Sequence, residues 1–153
     1  SRIGLRSSAV ALAVSDNLLA HVRTEHAAKP VACVLIDEAQ FLTPAHVWQA
    51  TDVADTLDIP VLCYGLRTDF QGKLFPGSGA LLAIADELVE LKTICHCGRK
   101  ATMNLRLSPD GTAVQAGTQV EIGGDDRYVA LCRRHYKEAL GITIQSRAPF
   151  PEK

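Results

Sequence analysis

The stretch that decides the fold is Val31-Ala32-Cys33-Val34-Leu35-Ile36-Asp37-Glu38-Ala39-Gln40-Phe41. Its first six residues form an unbroken apolar run, rich in β-branched side chains, with no polar alternation. A strand that keeps one face in water alternates, whereas a run like this suits a strand covered on both faces, as in a parallel sheet. An acidic pair, Asp37-Glu38, follows immediately. In open α/β sheets, ligands bind just outside the carboxyl ends of the strands, where this pair falls.

The flanking sequence agrees with that assignment. Upstream, Ser15 to Lys29 reads as a helix capped by Ser15 or Asp16, with Leu18, Leu19 and Val22 as its apolar stripe and Lys29-Pro30 as its end. Downstream, Thr43-Pro44 opens a second helix that runs through Val47, Trp48 and Ala50 towards Leu57, with proline at the first helical position. Pro60 to Leu66 (PVLCYGL) is a second buried strand. Strand, helix and strand in this order make a βαβ unit with a right-handed crossover. A shorter helix around Gly79 to Asp86 and a strand around Leu88 to Lys92 extend the alternation. After Thr93 the apolar helices give way to Cys, Gly, Arg and short alternating stretches. The expected organisation is an α/β core over 1–93, a small β-rich unit over 94–140 and a loosely attached tail over 141–153.

Composition narrows the function classes. Of 153 residues, 47% are hydrophobic and 22% charged, enough apolar surface for a packed core and too much for wholesale disorder. Lys+Arg 16 against Asp+Glu 17 leaves a net charge of -1, which supplies no broad basic field and disfavours nucleic acid as a partner. No apolar run approaches the ~20 residues that span a bilayer, so no membrane partner is expected. The opening SRIGLRSS has no apolar segment of the signal-peptide kind and starts at Ser1 rather than Met, the pattern expected of a fragment or processed product. Five cysteines do not make an even disulfide framework. Reduced thiols then point to the cytoplasm, with Cys33 and Cys63 read as small buried hydrophobes.

Two constellations carry chemistry. An Asp at the end of an apolar strand is the Walker-B arrangement, a hard oxygen ligand beside nucleotide phosphates, and an adjacent Glu can reach an attacking hydroxyl. A solvated acidic turn is the plainer reading of the same residues. The matching loop G-x-x-x-x-G-K-[ST] is missing: Gly72-Lys73 is followed by Leu74, and Pro76 to Gly79 lacks both Lys and a final Gly-Lys-Ser/Thr. The chain is therefore not expected to cradle ATP in that way by itself. The second constellation is C-x-C at Cys95 and Cys97 with C-x2-H at Cys132 and His135. Three thiolates and an imidazole in two close pairs suit tetrahedral Zn²⁺, and four protein ligands close the shell, which makes such a metal structural. A redox pair or a chance spacing are the alternatives, and His96 competes with His135 for the fourth position. His21, His26 and His46 read as surface helix residues.

Read together, LIDEAQFL, PVLCYGLRTDFQGKLFPGS, VELKTICHCGRKATMNLRL and VEIGGDDRYVALCRRHYKEAL resemble the type II thymidine kinases, from Ser1 to about Leu140. The resemblance implies an α/β fold with a P-loop-kinase-like, mostly parallel sheet, here without its N-terminal strand and phosphate loop, followed by the β-rich zinc lobe. It implies phosphate transfer from ATP, with Mg²⁺, to the 5′-hydroxyl of thymidine, and an inactive chain where the phosphate cradle is lacking. Glu38 takes the place of the general base and Asp37 that of the Walker-B acid, with Asp37, Glu38, Ala39 and Gln40 along the nucleotide. Phe41, Leu66 and Phe70 correspond to the apolar walls of the thymine pocket, and Asn104 to a group close to the base. Val120, Glu121, Ile122 and Gly123 match a loop that reads the base edge through its backbone, Tyr128 closes the pocket, and Arg2 matches an arginine near the phosphates. Zinc at Cys95, Cys97, Cys132 and His135, feedback by thymidine triphosphate and a homotetramer complete what the family implies. Asn104 and Glu121 depart from the commoner residues. A reading of another class, a zinc-ribbon module for nucleic acid or protein, draws on Arg99, Lys100, Arg106, Arg127, Arg133 and Arg134, although Asp110, Glu121, Asp125 and Asp126 interrupt that basic set.

Overall fold

A computed structural model describes residues 8–119 and 127–142. The chain forms two compact units, the first of residues 1–66 and 76–84, the second of residues 67–75 and 85–153. The second therefore takes in residues on the N-terminal side of the expected boundary at Thr93.

In the first unit, helix α1 (Leu18–Ala28) precedes strand β1 (Val34–Ile36), a 3-10 turn (Ala39–Phe41), helix α2 (Pro44–Leu57), strand β2 (Val61–Cys63) and helix α3 (Pro76–Ile84). Strands β1 and β2 pair in parallel, Val34 with Val61 and Ile36 with Cys63, around the α2 crossover. This is the expected βαβ unit. Asn17, one residue beyond the expected caps, begins α1: its side chain accepts the Ala20 N–H at 2.8 Å. Asp16 is occupied elsewhere, accepting the Ala13 N–H at 2.7 Å. Helix α2 opens as expected on Thr43 and Pro44, with a reciprocal capping box in which Thr43 Oγ1 accepts the His46 N–H and His46 Nδ1 faces the Thr43 N–H.

Three expectations are corrected here. His46 is buried rather than on the surface, because its ring closes the capping box and its Nε2 lies 2.9 Å from the Asp16 carbonyl. The strands are not covered on both faces: Leu18, Val22, Ala50, Val53 and Ile59 gather Val34, Ile36 and Val61 on one side, while Leu35 stays 69% exposed on the other. Cys33, two residues before Leu35 and so of the same parity, is exposed as well. Cys63 is half-buried against the cluster of Ala39, Leu42 and Val47, and burial pushes its thiol up.

Helix α3 begins at Pro76, earlier than expected, where Gly77 lets its first turn press on the 3-10 turn. A Cβ at Gly77 would stand 2.6 Å from the Leu42 carbonyl oxygen and 2.8 Å from that of Ala39.

In the second unit, strands β3 (Met103–Leu107) and β4 (Arg127–Leu131) pair antiparallel and helix α4 (Arg133–Ala139) follows. One side of this ribbon packs with Cys95, Ala101, Leu105, Leu131, Cys132 and Tyr136. The expected strand over Leu88–Lys92 carries no regular structure, and Leu88, Val89 and Leu91 are exposed. A strand exists through its ladder, and this segment pairs with no strand among the described residues.

Candidate active site and metal centre

Just past β1, the Tyr64 N–H donates to the Ile36 carbonyl and the Ala39 N–H to the Tyr64 carbonyl, both at 2.8 Å. The parallel ladder thus carries the chain through Asp37 and Glu38 before turning. Glu38 sits in the left-handed region, φ 51° and ψ 37°, as the residue that starts the 3-10 turn. Both acidic side chains are exposed at the carboxyl end of the sheet, the position read from the sequence. Asp37 Oδ1 accepts the Glu38 N–H at 2.9 Å. The Glu38 carboxylate takes a hydrogen bond from Gln40 Nε2 at 2.5 Å. Ala39 and Gln40 are buried, whereas Phe41 is half exposed. Leu66 lies exposed beyond the end of β2, its N–H donating to Gln40 Oε1 at 3.0 Å and its carbonyl accepting from Ser78 Oγ at 2.6 Å. The structure thus brings Asp37, Glu38, Gln40, Phe41 and Leu66 to one end of the first unit.

In the second unit, Phe70 is buried, with the Arg106 guanidinium 5.2 Å from the centre of its ring. Arg106 stands opposite Tyr128 in the ribbon, and Asn104 opposite Ala130. Cross-strand partners share a face, and residues two apart do too, so Asn104, Arg106 and Tyr128 line one face. The Phe70 ring meets the guanidinium of Arg106, while the Phe70 carbonyl accepts from Tyr136 Oη. Asn104 is half-buried and Tyr128 exposed. Val120, Glu121, Ile122, Gly123 and Arg2 lie outside the described residues.

The metal set assembles. Ligand atoms of Cys95, Cys97, Cys132 and His135 all lie within 4.8 Å of one another. Zn–S bonds of about 2.3 Å set tetrahedral sulfurs about 3.8 Å apart; Cys97 and Cys132 Sγ are 3.9 Å apart. His135 Nδ1 is 3.3 Å from Cys95 Sγ and 3.6 Å from Cys132 Sγ. Donor identity and spacing therefore fit a structural zinc ion. The first knuckle is a tight turn: the Gly98 N–H donates to the Cys95 carbonyl, and Gly98 takes φ 80°. The second is the start of α4, which puts Cys132 and His135 one turn apart. Burial pushes the Cys95 thiol up, but hydrogen bonds from the Cys132 and Cys97 backbone and from the His135 and Cys97 side chains outweigh it and bring the thiol to about 5. The Arg99 N–H lowers Cys97, yet burial and the thiols of Cys95 and Cys132 leave it raised. His96 is exposed and stacks on His135, ring centres 4.2 Å apart, with its Nδ1 3.7 Å from Cys95 Sγ. It stands beside the four-residue cluster.

A family model described as thymidine kinase matches residues 1–136. The chain belongs to the thymidine kinase family. Among curated relatives, the thymidine kinase of Novosphingobium aromaticivorans is 62% identical over 141 residues, 92% of this chain and 73% of that one. That of Rhodopirellula baltica is 62% identical over 150 residues, 98% of this chain and 71% of that one. That of Vibrio cholerae is 58% identical over 141 residues, 92% of this chain and 73% of that one.

Against the thymidine kinase resemblance, three features were missed in the sequence. Gln40, grouped there with nucleotide-lining residues, turns inward. Asp69 is buried and organises the loop that carries Phe70: its Oδ1 accepts the Gln71 and Lys73 N–H groups at 2.9 and 2.8 Å, and its Oδ2 the Gln119 amide at 3.1 Å. Arg106 is buried under Phe70 rather than part of a solvated basic set. Asp69 had a usable signal, an Asp followed by Gly72 in a turn-forming stretch. Gln40 and Arg106 had none, since their burial follows from tertiary contacts.

Proposed function

We propose that the chain carries the acidic and nucleoside-binding parts of a thymidine kinase, an enzyme that transfers the γ-phosphoryl group of ATP to the 5′-hydroxyl of thymidine. Its 153 residues contain no G-x-x-x-x-G-K-[ST] loop to cradle the ATP phosphates. The observation that carries this reading is the exposed Asp37-Glu38 pair at the carboxyl end of a parallel strand pair, in a member of that family. Glu38 accepts the proton of the 5′-hydroxyl as the O5′–Pγ bond forms and the bond from Pγ to the bridging oxygen breaks, releasing ADP. Asp37, the exposed carboxylate beside it, would hold Mg²⁺. When bound, that ion neutralises charge on the transferring phosphate oxygens.

For the thymine base, Phe41 and Leu66 supply exposed apolar surface at the acidic end of the first unit. In the second unit, Asn104 and Tyr128 share one ribbon face with Arg106, whose guanidinium meets the Phe70 ring, and the family resemblance assigns Val120 to Gly123 to reading the base edge. Zinc at the Cys₃His cluster would be structural, tying the strands that carry these groups. Feedback by thymidine triphosphate, a homotetramer and a cytoplasmic setting belong to the same reading.

Ligand-dependent melting tests it. Saturation at a hundredfold over Kd stabilises by about 2.7 kcal/mol, which for a chain of this length is roughly 5–10 °C. Thymidine should produce such a rise and adenosine should not; equal response to both, or to neither, removes the nucleoside assignment.

A further inference from the structure

We infer that Gln40 is a positioning residue that holds the Glu38 carboxylate in place for proton abstraction. This rests on the kinase reading above and adds a residue to the same site. Gln40 is only 2% exposed, so its side chain is held inside the first unit. Both ends of its amide are used. Oε1 accepts the Leu66 N–H at 3.0 Å, and Nε2 donates to Glu38 Oε2 at 2.5 Å. Because a backbone N–H fixes which end is oxygen, the donor end is directed at Glu38. One side chain thereby links the acidic turn after β1 to the exit of β2.

Two glycines make room for it. A Cβ at Gly65 would stand 2.6 Å from Gln40 Oε1 and 2.9 Å from the Gln40 nitrogen, so a hydrogen there is what lets the amide reach Leu66. On the other side a Cβ at Gly77 would come within 2.9 Å of the Gln40 carbonyl oxygen. Glu38 needs such a tether. It is exposed and left-handed, with no other side-chain partner among the described residues. Catalysis of phosphoryl transfer is mostly positioning, and an untethered carboxylate would sample several rotamers around the hydroxyl it must meet. Glutamine suits the role better than its isosteres: Glu has no donor when ionised and repels Glu38, and Met fills the space with neither bond.

The test uses the complete natural polypeptide, with Q40M, G65A, E38A and the Q40M/E38A double variant, assayed for thymidine phosphorylation and for denaturant unfolding. G65A crowds the amide oxygen and also the Gln40 backbone nitrogen, so denaturant unfolding of each variant establishes that it is folded before its kcat is read. Q40M and G65A are each expected to lower kcat at least tenfold, with KM for thymidine within twofold. On the E38A background, Q40M should change the residual kcat less than twofold. In unfolding, the midpoint shifts of Q40M and E38A should be markedly less than additive, since each breaks the same bond. A rise in KM with kcat intact, an equal loss of kcat with and without Glu38, or additive midpoint shifts overturns the inference. If the parent phosphorylates no thymidine, the kinase reading fails by itself, and the unfolding cycle still decides whether Gln40 holds Glu38.

Discussion

Glu38 and Asp58 are the non-glycine residues with positive φ among those described, at 51° and 55°, and each such conformation costs about 1–2 kcal/mol. The two sites differ in consequence. Asp58 only ends α2, so D58G should raise the melting temperature by about 1–3 °C, measured by calorimetry and without effect on ligand binding. At Glu38 the same conformation projects a carboxylate from the sheet end, and E38Q should lower kcat by roughly 10²–10⁴ with thymidine KM little changed. An unchanged kcat rejects Glu38 as the base. Asp37 and Glu38 were legible because an apolar run interrupted by two acids is a local pattern. His46, Cys33 and Gln40 were not, because each depends on a distant partner: the Asp16 carbonyl for His46, an open sheet face for Cys33, the Leu66 N–H for Gln40.

The elements divide along the same line. Helix α2 could be read from Thr43-Pro44 to Leu57 because caps and prolines act locally, whereas β1 and β2 were foreseen in place but not in burial. Removing the Thr43 hydroxyl with T43A should cost about 1 kcal/mol, read from the denaturant midpoint. The knuckles were legible in spacing alone, since ligand chemistry requires the pairs. Their zinc should bind at one ion per chain, and stripping it should loosen the second unit, because structural zinc contributes roughly 10 kcal/mol to folding. A chelated protein with unchanged near-UV circular dichroism and unchanged thymidine binding would remove that role. The sign of its pH dependence follows from the ligands. Protons compete with metal for thiolates, so acidification releases zinc and a return to higher pH restores it, read as zinc bound per chain.

For the molecule as a whole, near-neutral charge and an interrupted basic set agree with a small anionic or neutral ligand better than with a polynucleotide. No described helix is long and apolar enough to cross a membrane. Family membership was visible in the order of the acidic strand, the Phe70 loop and the zinc pairs. The division into units was not, since residues 67–75 join the later part of the chain through contacts such as Tyr136 Oη donating to the Phe70 carbonyl at 2.5 Å. The most direct test of the kinase reading follows labelled γ-phosphate from ATP in the complete natural polypeptide, with Mg²⁺ and thymidine. The expected product is labelled thymidine 5′-monophosphate, formed at a rate that E38Q reduces at least a hundredfold; no labelled product, or the same rate in E38Q, contradicts it.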